Sequence, residues 1–140
     1  MATKIRDIMC KDPETIARNR SMREAAEIMK ERGIGDVLVI EEDGRLCGIV
    51  TDRDLVVRGL AEGRDPDETT IGDLCSGTMV TLAPDAAIDQ AVSIMRDRAI
   101  RRIPIVDHGN AVGIVSIGDL ARERDPDSAL AQISAAPPNA

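Results

Sequence analysis

The chain has 140 residues, and its 18 Lys and Arg against 25 Asp and Glu give a formal net charge of −7. Hydrophobic residues make up 43% of it, which supports a folded core and excludes global disorder. There is no Phe, Tyr or Trp, so the stacking platforms typical of single-strand nucleic-acid binders are missing, and the negative charge opposes a phosphate backbone. We therefore expect no nucleic-acid partner.

Apolar runs in the chain are short. The longest, such as residues 37–40, are far too short to span a bilayer. Residues 1–10 contain no apolar stretch of the kind found in secretory signals. We expect no membrane partner and a cytoplasmic location.

The predicted elements begin with a helix and two strands. Ser21 and Glu24 have the spacing of a capping box, and Gly33 is a natural end for the helix that follows. Residues 37–40 and 46–50 are rich in β-branched side chains and predict two strands around a hairpin turn. The next helix is predicted from residue 52 to about residue 63.

The second half of the chain predicts the same elements again. The expected ranges are a helix from about 85 to 98, strands 103–106 and 111–115, a helix from 116, and a short amphipathic helix at 127–133. The underlying sequence is duplicated at a spacing of 65 or 66 residues. The recurring segments are 5–8 with 71–74, 14–17 with 80–83, 25–34 with 91–100, and 48–55 with 113–120. An internal repeat of this kind indicates two copies of one folding unit.

Each copy is predicted as a β-α-β-β-α unit in a mixed α/β (α+β) protein. Because one copy has too little core to be stable alone, we expect the two to pack about a pseudo-twofold axis. The predicted boundaries are residues 1–67 for the first repeat, 68–125 for the second, and 126–140 for a short helix and tail.

The repeated pattern Gly-Ile-Val-[Ser/Thr]-x-x-Asp-Leu resembles a family. It occurs at residues 48–55 and 113–120, and residues 101–107 (Arg-Arg-Ile-Pro-Ile-Val-Asp) resemble that family's second strand. Together these segments resemble a tandem pair of cystathionine-β-synthase (CBS) domains over residues 5–125. The resemblance is to small stand-alone bacterial CBS-pair proteins, including the hypoxia-response type of actinobacteria.

The resemblance implies a regulatory module that binds an adenosine derivative in clefts between the repeats. AMP, ADP, ATP and S-adenosylmethionine are the implied ligands, with NAD less often, and no tightly bound cofactor is implied. The resemblance also implies a homodimer and a protein partner that responds to the ligand. It names neither the nucleotide, nor the number of occupied sites, nor that partner.

Four residues of the repeated pattern are candidates for nucleotide contact. The hydroxyls of Thr51 and Ser116 lie where a strand passes into a helix N-terminus, which suits a phosphate. The carboxylates of Asp54 and Asp119 come one turn later and can accept hydrogen bonds from ribose hydroxyls. By resemblance these are the family's roles, yet the same spacing is that of an ordinary capping box, and both roles can coexist.

Further candidates come from the strands and their flanks. The resemblance places adenine near Ile34 and Ile103 and a basic residue for phosphate at Arg101 or Arg102. Arg53 is another candidate for phosphate, since the forked guanidinium suits that group. Surface ion pairing is the alternative for all three arginines.

Asp36 departs from the small uncharged residue usual at its position and would repel a phosphate. Together with the net charge, it favours an alternative function, a ligand-free dimerisation or protein-interaction module with the same fold. An enzyme is the weakest hypothesis, because the sequence has no nucleophile elbow, P-loop or metal triad.

The three cysteines, Cys10, Cys47 and Cys75, could form one Cys₃His zinc site with the only histidine, His108. The alternative is reduced thiols in a core, which the apolar surroundings of Cys47 favour. His108 lies in a polar segment that predicts an exposed turn. The sequence leaves a metal or redox role of these residues open.

Overall fold

The computed structural model describes residues 3–75 and 79–136. The strands are β1 (Cys10–Lys11), β2 (Thr15–Ala17), β3 (Asp36–Ile40), β4 (Leu46–Thr51), β5 (Arg102–Asp107) and β6 (Asn110–Ser116). The helices are α1 (Met22–Arg32), α2 (Asp52–Asp54), α3 (Ile71–Leu74), α4 (Ile88–Arg98), α5 (Ile117–Arg124) and α6 (Ala129–Ala135). A 3₁₀ turn at Ile5–Asp7 and a π-helical turn at Leu55–Leu60 complete the list. The mixed helix and strand content confirms the predicted fold class.

The chain folds into two compact units. The first unit is residues 14–79, and the second unit is residues 1–13 together with 80–140. Each has a three-stranded sheet, in the order β2-β3-β4 in the first unit and β1-β6-β5 in the second. In the first unit β3 runs parallel to β2 and antiparallel to β4. In the second, β6 is antiparallel to both neighbours, and a single parallel bridge from Leu82 to Ile105 replaces a strand like β2.

Helix α1 begins and ends as its sequence predicts. The Ser21 hydroxyl accepts a hydrogen bond from the Glu24 amide at 3.1 Å. Gly33 ends the helix in the left-handed conformation, with φ of +65°, which glycine adopts without a side-chain penalty. The buried face of α1, including Met22 and Met29, packs into the core formed with β3 and β4.

The helix predicted over residues 52–63 is interrupted. Three α-helical residues are followed by the π-helical turn, in which the hydrogen bonds span one residue more. The turn brings Gly59 so close to Met22 that a Cβ at Gly59 would collide with the Met22 sulfur. The π-helical turn and this close approach of the Gly59 backbone to the core occur together.

Helix α4 begins three residues later than predicted. Residues 84–87 are instead paired with the N-terminal segment, since Ile5 donates to the Ala86 carbonyl and Arg6 to the Pro84 carbonyl, both at 2.9 Å. Helix α6 is shifted toward the C-terminus relative to the predicted 127–133. The Ser128 hydroxyl accepts from the Ala131 amide at 3.1 Å and fixes where α6 starts.

The recurring segments 5–8 and 71–74 each lie in the compact unit formed mainly by the other repeat. Ile5 is fully buried in the core of the second unit, with Ile88, Ile103 and Val115. Ile71 and Leu74 are fully buried in the core of the first unit. The compact units therefore differ from the sequence boundaries 1–67 and 68–125, because each core takes its short helical segment from the other copy. The pseudo-twofold packing of the repeats stays a prediction.

Candidate functional site

The corner after β4 contains the first predicted hydroxyl and carboxylate. The Asp54 amide donates to the Thr51 hydroxyl at 3.1 Å, and the Thr51 amide donates to Asp54 Oδ2 at 2.9 Å. The two residues thus form a reciprocal capping box. Among the described residues, none donates a hydrogen bond to the other oxygen, Asp54 Oδ1. Asp54 Oδ1, at this half-buried corner, is therefore available to accept a hydrogen bond.

The corner after β6 has the same inner geometry. The Asp119 amide donates to the Ser116 hydroxyl at 3.2 Å, and the Ser116 amide donates to Asp119 Oδ2 at 2.8 Å. Here the second oxygen, Asp119 Oδ1, is held by the guanidinium of Arg122. The capping role considered from sequence is therefore present at both corners. The carboxylates differ in whether their outer oxygen is occupied.

Arg53 lies on the open side of the first corner. Its side chain is exposed and makes no hydrogen bond or ion pair with the rest of the described chain. It borders a hollow of about 340 Å³ that Asp52, Val56 and Val57 also line. This volume is near the lower limit for small-molecule sites. Thr51 and Asp54 do not line the hollow.

The charged residues at the strand starts lie beside the two hydroxyls. Asp36 is the cross-strand partner of Thr51 in the β3–β4 pairing, and Arg102 is the partner of Ser116 in the β5–β6 pairing. Cross-strand partners project from the same face of a sheet, so the first hydroxyl has an acidic neighbour and the second a basic one. Arg101 precedes β5 and is exposed.

The two predicted adenine neighbours differ in accessibility. Ile34 is half-buried and packs against the core of the first unit. Ile103 is fully buried in the core of the second unit, so its side chain supports the sheet from within. Of these two residues, only Ile34 presents apolar surface to solvent.

The cysteines and the histidine do not assemble a metal site in the described residues, which contain no cluster of three or more His, Cys, Asp or Glu side chains able to hold a metal. Cys10 is exposed, whereas Cys47 and Cys75 are half-buried beside the core of the first unit. Burial, the nearby Cys75 thiol and a hydrogen bond with Glu41 raise the pKa of Cys47 to about 11. The side chain of His108 is 91% exposed, in the turn that the sequence predicts.

A profile of the CBS domain matches residues 5–59 and 71–125. The chain belongs to the CBS domain family. CBS domain-containing protein YhcV of Bacillus subtilis is 38% identical over 136 residues, which cover 94% of this chain and 96% of that protein. Hypoxic response protein 1 of Mycobacterium tuberculosis is 35% identical over 130 residues, with coverage of 93% and 90%. The resemblance seen in the sequence is confirmed.

Two solved CBS-pair structures share the fold. The crystal structure of Hypoxic Response Protein I, which holds two coordinated zinc ions, has a TM-score of 0.79 at 35% identity and covers 86% of this chain and 98% of that one. The CBS domain pair of protein MJ0100, in complex with 5-methylthioadenosine and S-adenosyl-L-methionine, has a TM-score of 0.79 at 29% identity. The coverage there is 91% of this chain and 100% of that one.

Sequence reasoning missed the residues that surround the second corner. Arg122 contacts Asp119, and a Cβ added at Gly118 would collide with the side chain of Ser134 in α6. The Asp-x-x-Arg spacing of an i,i+3 ion pair was the available signal for Arg122. No local pattern pointed to Ser134.

In the part of the chain that the structure describes, no helix is long and apolar enough to cross a membrane.

Proposed function

We propose that this CBS pair is a non-catalytic regulatory module that binds an adenosine-type nucleotide and transmits the binding to a protein partner. The observation that carries the proposal is the spare acceptor of Asp54 beside the Thr51 hydroxyl, at a partly exposed strand-to-helix corner. A ribose needs an acceptor for its hydroxyls, and a carboxylate oxygen that is already oriented by a capping box supplies one at little entropic cost. Cytoplasmic location and assembly as a homodimer are part of this proposal.

The capping bonds do not compete with this role. They use Thr51 Oγ1 as acceptor and Asp54 Oδ2 as acceptor, so Asp54 Oδ1 and the Thr51 hydroxyl proton remain for a ligand. Arg53 adds a positive charge for a phosphate, and Ile34 adds apolar surface for a base. The complex of the MJ0100 CBS pair with two adenosine compounds supports the choice of ligand class.

The charges beside the corners favour different adenosine ligands. Asp36 opposite Thr51 penalises a triphosphate, so AMP or the cationic S-adenosylmethionine suits the first corner better than ATP. Arg102 opposite Ser116 favours a phosphorylated nucleotide at the second corner. The module thus has room for discrimination between ligands that share the adenosine moiety.

Thermal melting in the presence of AMP, ADP, ATP, NAD and S-adenosylmethionine tests the proposal. Circular dichroism or an external dye is required, because the chain has no tryptophan or tyrosine. A ligand at 100 times its Kd stabilises the folded state by about 2.7 kcal/mol, and the melting temperature of a chain of this size then rises by several degrees.

The matched variants separate a specific site from a charge effect. Asp54→Ala with Asp119→Ala removes both corner carboxylates and should abolish the ligand-induced rise. Glu27→Ala with Asp97→Ala removes the same charge from exposed positions of α1 and α4 and should retain it. An undiminished rise in the corner variant would show that these carboxylates do not bind the nucleotide.

A ligand-free interaction module is the second candidate. Its support is that both corners already satisfy their own backbone amides, and that large apolar side chains are exposed in both units. Those more than a third exposed among the described residues are Val56, Val57, Leu60, Val92, Ile117, Leu130 and Ile133. Apolar side chains of this kind mark an association site where they form a contiguous patch. A stable dimer whose melting temperature ignores every nucleotide would favour this candidate.

A further inference from the structure

The second corner is held from outside by the C-terminal helix. Arg122 of α5 donates one guanidinium nitrogen to Asp119 Oδ1 and the other to the carbonyl of Ser134 in α6, the latter at 2.9 Å. The side chain of Asp119 is only 11% exposed. One arginine therefore occupies the carboxylate oxygen and ties it to α6.

Helix α6 lies directly against the start of α5. The backbone of Gly118 is so near Ser134 that no Cβ would fit between them. Ala131, on the inner face of α6, is 2% exposed, and Leu130 lines a groove of about 680 Å³ with Leu120 and Ala121 of α5. The close packing at Gly118 and Ala131 holds α6 against α5, in addition to the hydrogen bond from Arg122.

The first corner has none of these features in the described chain. At the position that corresponds to Arg122 it has Val57, which is 43% exposed and carries no charge. At the position that corresponds to Gly118 it has Arg53, whose side chain is exposed. Asp54 Oδ1 is correspondingly unoccupied, whereas Asp119 Oδ1 is not.

We infer that α6 and Arg122 form an autoinhibitory latch, so that the first corner accepts a nucleotide directly and the second only after Arg122 releases Asp119. This inference rests on the proposed function, since it concerns the regulation of the same two corners. A ribose hydroxyl that approaches Asp119 Oδ1 competes with a charge-assisted hydrogen bond, which is stronger than a neutral one, at a side chain that is only 11% exposed. Displacement also removes one of the contacts that hold α6, so that α6 opens more often and reports occupancy of the second corner to a partner.

Calorimetric titration of the full chain with AMP, and separately with S-adenosylmethionine, counts the sites. We expect one equivalent in the wild type, and more than tenfold weaker binding in Asp54→Ala. Arg122→Gln should bind two equivalents, and Arg122→Gln with Asp54→Ala should retain one. Arg124→Gln is the matched control on the same helix, because it breaks the 2.8 Å pair with Asp89 and leaves the latch intact.

Hydrogen exchange measured by mass spectrometry tests the latch without any ligand. The amides of α6 should exchange about fivefold faster or more in Arg122→Gln, as expected for the loss of about 1 kcal/mol, and at the wild-type rate in Arg124→Gln. Ala131→Asp, which places a carboxylate at the buried face of α6, should speed exchange of the α6 amides independently of Arg122.

The outcomes distinguish the two proposals. Two equivalents already in the wild type, or one equivalent in Arg122→Gln, would overturn the latch while the nucleotide function stands. If no variant binds either probe, the proposed function fails with these ligands, and the exchange rate of α6 alone then decides whether Arg122 holds it. An unchanged rate in Arg122→Gln would overturn the latch in that case as well.

Discussion

The corners after β4 and β6 share the hydrogen bonds of the capping box and differ in what the second carboxylate oxygen binds. In both, a hydroxyl and a carboxylate cap each other's backbone amides at 2.8–3.2 Å. At the second corner the carboxylate is also bound by Arg122, which in turn binds α6. The duplicated sequence thus preserves the hydrogen bonds that start each helix, and the two copies differ at the positions around them.

The largest expected effect concerns Ile5 and Ile71, which belong to the two short segments that lie in the unit of the other repeat. Ile5→Ala should destabilise the second unit, and Ile71→Ala the first, each by about 2–5 kcal/mol, because both side chains are fully buried. Hydrogen exchange resolved by segment should show faster exchange over residues 80–136 for Ile5→Ala and over residues 14–75 for Ile71→Ala. Ile133→Ala, at a 72% exposed position, should change stability by less than about 0.5 kcal/mol.

Faster hydrogen exchange over residues 14–75 and an unchanged rate over residues 80–136 in Ile5→Ala would contradict the assignment of Ile5 to the core of the second unit. Equal loosening of both would show instead that the units unfold together.

The ends of α1 and α4 sharpen the comparison with a smaller effect. Gly33 and Ala99 occupy the same left-handed position, with φ of +65° and +54°. Alanine is strained there, so Ala99→Gly should stabilise the protein and Gly33→Ala should destabilise it, each by about 0.5–1 kcal/mol. Chemical denaturation followed by circular dichroism measures both. Ala26→Gly, at an exposed mid-helix site, should destabilise by about 1 kcal/mol, and destabilisation by Ala99→Gly would refute the assigned strain.

Cys47 makes the smallest and most condition-dependent prediction. The second repeat has Val112 at the corresponding position. Because the pKa of folded Cys47 is raised from 9.0 to about 11, the unfolded state releases the thiol proton first. Stability from the neutral thiol is therefore complete below pH 9 and is lost as the pH rises through 9 toward 11.

Melting of the wild type and of Cys47→Val between pH 8 and pH 10.5 checks this dependence. The wild type should lose more stability than Cys47→Val across that range, and Cys10→Ala, which changes an exposed thiol, should follow the wild type. Parallel pH curves for the wild type and Cys47→Val would show that ionisation of Cys47 does not couple to folding.

Local patterns predicted most of the fold. The Ser21 cap, the Gly33 end and both hairpins depend on residues within a few positions of each other, and each is where the sequence placed it. The interruption after Asp54 was not predicted, and the close contact made within it, between Gly59 and Met22, joins residues 37 positions apart in the chain. The late start of α4 also involves a contact distant in sequence, since Ile5 and Arg6 pair with Ala86 and Pro84, 81 and 78 positions away.

The capping geometry of the candidate site residues was predicted from sequence, whereas their accessibility was not, and their role in binding stays a prediction. The hydroxyls and carboxylates form the pairs that their spacing indicates, and Arg53 is exposed. Burial of Ile103 and occupation of Asp119 are tertiary effects, set by the sheet and by α6 respectively. A four-residue pattern contains no information on which of its atoms another helix will cover.

The pairing of the N-terminal segment with residues 84–87 has a consequence for synthesis on the ribosome. The first unit is continuous in the chain, so all of its core residues exist once residue 75 has been translated. Ile5 is made earlier but has no place to be buried until Ile88 and the strands of the second unit emerge. At about 5–20 residues per second, roughly 5–20 s separate the synthesis of Ile5 from that of its burial partners, so the core of the second unit is completed only after that of the first.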